Sequence, residues 1–585
     1  MENLNCKIEN ADIIGRINGD FGKWQLRTVL LIFLCKIPSA WFMACIIFTA
    51  PAPRDGEFFC HPSSKVLNTR TQEKFERMLD FNKTAWVRML HPVQIDGGGF
   101  EKIDFCNIYS DSHQVSEQYF HSISQITEDW NTPERNDSEI VPCDRFYHHT
   151  DYVSLVTDYN LVCSKDILIS STQSFHLFGV LTGGLVATYL LKHFSPKSVM
   201  LFGMITQIFC GNMTGLVNTY ELHVFFRCLS AICCCQMYTA GSMIFSDITS
   251  GKPKTIVTTL FESFWSVGVI LLPVLARFVQ SWSHLYMAIS WPTIVLIILW
   301  RWIPNSPRWL VARGRIDEAR DILIESAIVN DRKHVLPSNL EYLLRQQAYN
   351  MQNEPPPAGW WTLWKGPKAI RHMICVHICW SIYIITYYGM LLNIRAYSRE
   401  HLEINTMIAG LCEILGVFCG LLLILYTRRK WLYTGLFNVI AGLIAYSAWL
   451  IPLDMETDLR VVLLMCSSMV SKIAISSTLS ILTTCTTELV GSEKKKICGF
   501  STIVYARMWL LGGPFIGATI VYGQLIPQTA FSTMSIIGGV ISTLISSPRT
   551  IATSVKHSNL PKEIYPEIYT IKNFDSLNTG DKCKV

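Results

Sequence analysis

Twelve apolar stretches of about 20 residues each recur along this chain, six on either side of a polar middle segment. At 1.5 Å of rise per residue, a helix of that length matches the roughly 30 Å hydrocarbon core of a bilayer. Lipid offers no hydrogen bonds to a backbone, so apolar spans of this kind fold as helices. They lie at 27–49, 167–191, 198–217, 222–245, 255–277, 284–303, 371–394, 405–426, 431–451, 460–483, 498–521 and 525–546. With 585 residues, half of them apolar and 16% charged, the chain is long enough for several soluble domains, but the spans leave little room for one. The expected fold class is an all-α membrane protein of twelve transmembrane helices whose surroundings are the lipid bilayer. The net charge of +5 carries no argument for nucleic acid, and none is expected as a partner.

What the charges do indicate is orientation, because Lys and Arg concentrate in cytoplasmic loops. Lys192, Lys197, Lys252, Lys254, Arg428–Lys430 and Lys494–Lys496 fall in alternate short loops, while the others hold only Arg277, Arg395, Arg399 and Arg460. This places both termini in the cytoplasm: 1–26 inside, 50–166 as a large outer loop, 304–370 as an inner middle loop and 547–585 as an inner tail. The first 26 residues have no apolar core, so no cleavable signal peptide is expected.

The outer loop has contents suited to an oxidising compartment. Asn82-Lys83-Thr84 and Asn136-Asp137-Ser138 are glycosylation sequons, and Cys60, Cys106, Cys143 and Cys163 form an even set. Four cysteines suggest two disulfides with three possible connectivities. In the middle loop, Ile316, Ala319, Ile322, Leu323 and Ala327 recur at helical spacing, and Leu340–Gln347 reads as a second short helix. Together these predict a helical cap on the inner face. No phosphate-cradling Gly-rich loop, His-Glu-x-x-His or Gly-x-Ser-x-Gly motif occurs, so neither an ATP-driven pump of that type nor an enzyme is expected. No cofactor or metal site is expected either.

Several motifs carry a family resemblance across nearly the whole chain. They are Gly19-Asp20-Phe21-Gly22-Lys23-Trp24-Gln25 before the first span, the cysteine-bearing loop closing in Val156-Thr157-Asp158-Tyr159-Asn160-Leu161-Val162-Cys163, and Pro304-Asn305-Ser306-Pro307-Arg308-Trp309-Leu310 after the sixth span. Tyr387-Tyr388-Gly389 and Glu488-Leu489 continue the pattern. The sequence resembles the organic cation, anion and zwitterion (carnitine) transporters, a solute-carrier family of the major facilitator superfamily. That resemblance implies two six-helix bundles around a central cavity, alternating access and residence in the plasma membrane. It also implies gating roles for Arg227, Arg308 and Glu488. The loop after the second span departs from the superfamily pattern: Lys192-His193-Phe194-Ser195-Pro196-Lys197 has lost the usual acid.

An ionisable group at mid-membrane costs at least about 2.5–3.5 kcal/mol on insertion scales, so each one needs a partner or a water-filled path. Lys36 lies deep in the first span, with Pro38 favouring a kink beside it. Arg507 lies near the middle of the eleventh, where the resemblance puts Asp in cation-selective relatives and Arg in anion and carnitine-type ones. A guanidinium can hold a carboxylate through two parallel hydrogen bonds. Lys472, Glu262 and Glu413 complete the charged set, and Glu262 is a candidate to hold a substrate ammonium or to neutralise Lys36 or Arg507. Trp380 and Tyr387, two turns apart, offer ring faces for a cation.

Bases outnumber acids in this set, so the favoured substrate is a small amino zwitterion or related amine, of the carnitine, β-alanine or carcinine kind. An organic-anion exchanger becomes the better reading if Glu262 and Glu413 are occupied by Lys36 and Lys472. A non-transporting receptor on the same fold is the alternative from another class.

Overall fold

The computed structural model describes residues 12–51, 56–60, 87, 90–95, 101–112, 139–150, 152–353, 359–394, 401–452, 457–523 and 525–545. Asn82 and Asn136 lie outside these residues. Eleven described helices are long and apolar enough to cross a membrane: α1 (Lys23–Thr49), α2 (Cys163–His193), α3 (Pro196–Leu216), α4 (Tyr220–Ile248), α5 (Gly251–Phe278), α6 (Trp282–Trp302), α7 (Pro367–Leu392), α8 (Leu402–Tyr426), α9 (Lys430–Leu450), α10 (Leu459–Leu489) and α11 (Lys495–Tyr522). A shorter helix, α12 (Ile526–Thr543), packs along α9.

The helices form two bundles of six. In the first half α2 packs on α4; in the second α8 packs on α10. Small residues allow these close approaches. Gly179 and Gly183 of α2 abut Cys228 and Ile232 of α4, and Gly416 and Gly420 of α8 abut Ile473 and Ser477 of α10. The same spacing in both pairs relates α2 to α8 and α4 to α10, so the bundles are structural repeats. Their interiors merge in one apolar core that includes Trp41, Phe42, Trp265, Tyr286, Trp380, Tyr383 and Leu482.

Two seams join the bundles. In one, α2 meets α11, where Ser174 Oγ donates to the Leu511 carbonyl at 2.8 Å and Ser170 Oγ to that of Pro514 at 3.2 Å. α11 breaks at Leu511–Gly512, just before Pro514, which leaves carbonyls there for side chains to use. In the other seam α5 meets α8, and Gly410 lies against Ile270 and the Ser266 carbonyl.

α1 is also interrupted, at Leu34–Cys35. Pro38 has no N–H to give the Leu34 carbonyl, which instead accepts from Ile37 N at 3.2 Å. Lys36 therefore sits at a bend rather than in a continuous turn.

The loop between α1 and α2 contains three two-stranded antiparallel pairs: Phe58–Cys60 with Phe146–His148, Val93–Ile95 with Glu101–Ile103, and Asn107–Tyr109 with Ile140–Pro142. The structure joins Cys60 to Cys143 and Cys106 to Cys163, with Cα separations of 5.6 and 5.5 Å. Buried His91 knits this loop: Nδ1 faces the Asn107 carbonyl at 2.8 Å, and Nε2 accepts from Cys60 N at 3.3 Å. Burial lowers its pKa and favours the neutral ring these contacts use. A short helix, Leu155–Asp158, with a Ser154–Thr157 capping box, then ties the loop to α6 as Asp158 accepts from Trp282 Nε1 at 2.7 Å.

At the opposite end, helices Pro307–Ala312, Ile316–Val329 and Leu340–Gln352 form a cap. The N-terminal segment is woven into it. Helix Ile13–Asn18 buries Ile13, Ile14 and Ile17 against Leu310, Leu323 and Leu344. Asn330 Oδ1 accepts from Trp24 N at 3.0 Å and so caps the start of α1. Six helical residues with three Ile are too short a pattern to anticipate this from the sequence.

Candidate functional site

A cavity of about 450 Å³ lies between the two halves, beyond the serine seam toward the cap end. Its wall contains Lys36, His176, Glu262 and Arg507, together with Tyr238, Phe245, Phe261, Trp265, Trp380, Tyr388 and Phe500. Toward the cap the lining turns to hydroxyls, Thr188, Ser242, Ser246, Thr258 and Thr483.

Lys36 is already occupied. Its Nζ lies 3.0 Å from both carboxylate oxygens of Glu262, and the faces of Phe261 and Tyr238 lie 4.6 and 4.8 Å from it. The lysine side chain is 9% exposed and the glutamate 31%, so the carboxylate is the member of the pair that faces the cavity.

Arg507 is held differently. It reaches from α11 into the first half, where Nη2 donates to Tyr238 Oη at 2.9 Å and Nη1 to the Val180 carbonyl at 3.1 Å. Gly184 makes the reach possible, since a Cβ there would stand 2.7 Å from Nη1. Nη1 also donates to Cys235 Sγ at 3.7 Å; among the described residues no carboxylate lies within ion-pairing distance of this guanidinium, and Nε and the second N–H of Nη2 are available to a ligand.

Lys472 and Glu413 lie away from the cavity wall. Their charged atoms are 2.6 Å apart, with side chains 2% and 0% exposed. Lys472 Nζ also donates to the Tyr387 carbonyl at 3.0 Å and lies 4.2 Å from the centre of the Tyr387 ring. Tyr387 therefore faces this internal pair. The cavity face of α7 carries Trp380, Ile384 and Tyr388 instead, at four-residue steps. Seven residues fall about 20° short of two full turns and four overshoot one turn, so a cavity on the overshoot side takes Tyr388 and leaves Tyr387 behind.

Arg227 is fully buried in α4, with Nη2 donating to Gln173 Oε1 of α2 and the Tyr286 ring 5.9 Å away. Arg308 lies in the cap, where Nε donates to the Asp247 carbonyl at 3.0 Å and Nη2 pairs with Asp12. Glu488 accepts from Lys430 at 2.9 Å within the second half. In these contacts Arg227 and Arg308 bind partners in the first half, its cap and N-terminal segment, and Glu488 a partner in the second.

Residues 164–514 match the Major Facilitator Superfamily. The chain belongs to that superfamily. It is a multi-pass membrane transporter, not an enzyme. It is 26% identical to "Organic anion transporter 3" of Sus scrofa over 72% of this chain and 78% of that one. It is 23% identical to the "Organic cation transporter-like protein" of Drosophila melanogaster, over 90% and 88%. Human "Solute carrier family 22 member 13" is 23% identical over 95% and 94%. Among solved structures, the partially occluded inward-open xylose transporter XylE from E. coli superposes with a TM-score of 0.54 at 12% identity, covering 90% of this chain and 99% of that one; this supports the fold alone.

Sequence reasoning left out His176, Tyr238 and Trp265, and named Tyr388 only within a family motif, not as a site residue. His176 had a usable signal, as an ionisable residue inside an otherwise apolar span. Tyr238 and Trp265 had none, because nothing in a sequence separates the wall of a cavity from the rest of a packed core.

Proposed function

We propose that this transporter exchanges organic anions across the plasma membrane. One observation carries the reading: Glu262 and Glu413 are each taken by a lysine, so Arg507 is the uncompensated charge of the cavity. A carboxylate or sulfonate would accept from the free edge of the guanidinium, and the aromatic wall would hold an apolar body. The organic-ion carriers among its relatives agree with this in kind.

Exchange follows from the charge count. Empty, the cavity holds one net positive charge in a low-dielectric interior, which is costly to seal; loaded with a monoanion it is neutral. Return of the empty protein is then slow, and return with a second anion is fast. In this reading both termini and the cap face the cytoplasm, the disulfide loop lies outside, and the cavity communicates with the inside. Removing the Asn82 and Asn136 sequons should raise gel mobility to that of glycosidase-treated protein; no shift would place the loop inside.

A zwitterion is the second reading, favoured by the exposed edge of Glu262, which could accept from an ammonium. The matched set 3-phenylpropanoate, phenylalanine and phenethylamine separates the two in proteoliposomes. Counterflow is expected for the anion, at least tenfold above the zwitterion and the amine. Arg507→Lys, which keeps the charge and loses the fork, should cut it roughly tenfold, equivalent to about 1.4 kcal/mol. Preferred exchange of phenylalanine would support the zwitterion instead.

A further inference from the structure

Glu262 has a place in the repeat as well as a partner. It stands four residues before Ser266, whose carbonyl meets Gly410 of α8, and Arg507 stands four residues before Leu511, whose carbonyl meets Ser174 of α2, so the acid and the free base occupy corresponding positions of the two halves. Both line the cavity, and Glu262 is the only carboxylate among its lining residues. An anion needs no carboxylate in its binding site.

We propose that Glu262 limits the transported anion to a single negative charge. The inference rests on the anion reading above and names the substrate class within it. A first anionic group binds the free edge of Arg507. A second, on the same molecule, has one other lysine or arginine of the lining to reach, Lys36. Both oxygens of Glu262 already lie 3.0 Å from that ammonium, and Phe261 and Tyr238 cover its remaining sides. The second group would have to sit beside the Glu262 carboxylate, and like charges at a few ångströms repel strongly away from bulk water. The other groups facing Glu262 give no relief. The Tyr238 and Tyr388 phenols are uncharged, and the Arg507 guanidinium is spent on the first anion. The summed charge agrees, because a monoanion brings the wall to neutrality and a dianion leaves it negative. Replacing Glu262 by an uncharged residue would free Lys36 and raise the wall to two positive charges, which is the complement of a dianion.

The test compares 3-phenylpropanoate with 3-(4-carboxyphenyl)propanoate, the same body carrying one or two carboxylates, by counterflow in proteoliposomes. Wild type should favour the monoanion at least tenfold. Glu262→Gln should raise the dianion at least tenfold relative to the monoanion, while Glu262→Asp keeps the wild-type ratio. Thr258→Lys, one turn away on the cavity wall, adds positive charge with the pair intact and should also admit the dianion, so the proposal stays testable if Glu262→Gln does not fold. Equal exchange of both probes by wild type would overturn it, as would an unchanged ratio in a folded Glu262→Gln or Thr258→Lys protein. Exchange of neither anion by wild type, with phenylalanine or phenethylamine carried, would instead remove the anion reading on which the proposal stands.

Discussion

The two halves bury a base at the same place and treat it in opposite ways. Arg227 directly precedes Cys228, and Lys472 directly precedes Ile473, the residues on which Gly179 and Gly416 press; the bases are therefore equivalent in α4 and α10. Three residues before those glycines stand His176 in α2 and Glu413 in α8. The second half thus gives its base an acid at 2.6 Å. The first half gives Arg227 a glutamine amide, and two of its guanidinium nitrogens, Nε and Nη1, have no hydrogen-bond partner among the described residues. A guanidinium is delocalised and weakly hydrated, so it tolerates such a site better than an ammonium would. The difference shows that a repeated fold need not repeat its electrostatics. The second half pairs this base with an acid, and the first leaves it as positive charge beside the cavity.

The largest effect should come from removing one acid. Glu413→Gln leaves Lys472 charged and unpaired in the interior, and should destabilise the protein by about 3–5 kcal/mol. Arg227→Met removes a base that has no acid to abandon and should cost only about 1 kcal/mol, the worth of its hydrogen bond. Thermal unfolding in detergent ranks the two, and equal losses would break the comparison. The double change Lys472→Met with Glu413→Gln should recover most of the loss.

Next comes His176→Glu, which gives the first half the acid of the second. Because His176 lines the cavity, the new carboxylate should cut anion exchange at least tenfold while thermal stability holds or rises. Unchanged exchange would mean that the charge around Arg227 is not felt at the site.

The seams offer the smallest test. The two-fold relation maps the α2–α11 seam onto α5–α8, yet one is closed by serine hydroxyls and the other by a glycine contact. Ser174→Ala should weaken the first by about 0.5–1.5 kcal/mol and modestly raise maleimide labelling of a cysteine placed at Asn393, which lines a small pocket with Ser170 and Pro514 of that seam. No change in labelling would mean that the hydroxyl does not help to hold that seam shut.

Much of the fold could be read from the sequence, because span length is set by bilayer thickness and each span announces itself locally. Pro38 likewise pointed to the bend beside Lys36. The site was only partly legible. Lys36, Glu262 and Arg507 stood out as charges in apolar surroundings, but that Lys36 chooses Glu262 and Lys472 chooses Glu413 depends on contacts between helices distant in the chain, which periodicity does not encode. Tyr387 and Tyr388 show the limit at finer scale, since one residue of helical rotation decides which ring meets the cavity. The cap's capture of Ile13–Asn18 was hidden because six residues are too short for a periodic pattern to show.

We propose that Arg507, as the uncompensated charge among the described cavity residues, sets the sign of the substrate. Reversing that charge tests it most directly. Counterflow of 3-phenylpropanoate and phenethylamine should be measured side by side for wild type and Arg507→Asp at equal amounts of folded protein. Wild type should carry the anion, and Arg507→Asp should lose it and gain the amine, a reversal of preference. If Arg507→Asp still prefers the anion, or if wild type carries the amine, the sign is set elsewhere and the account is wrong.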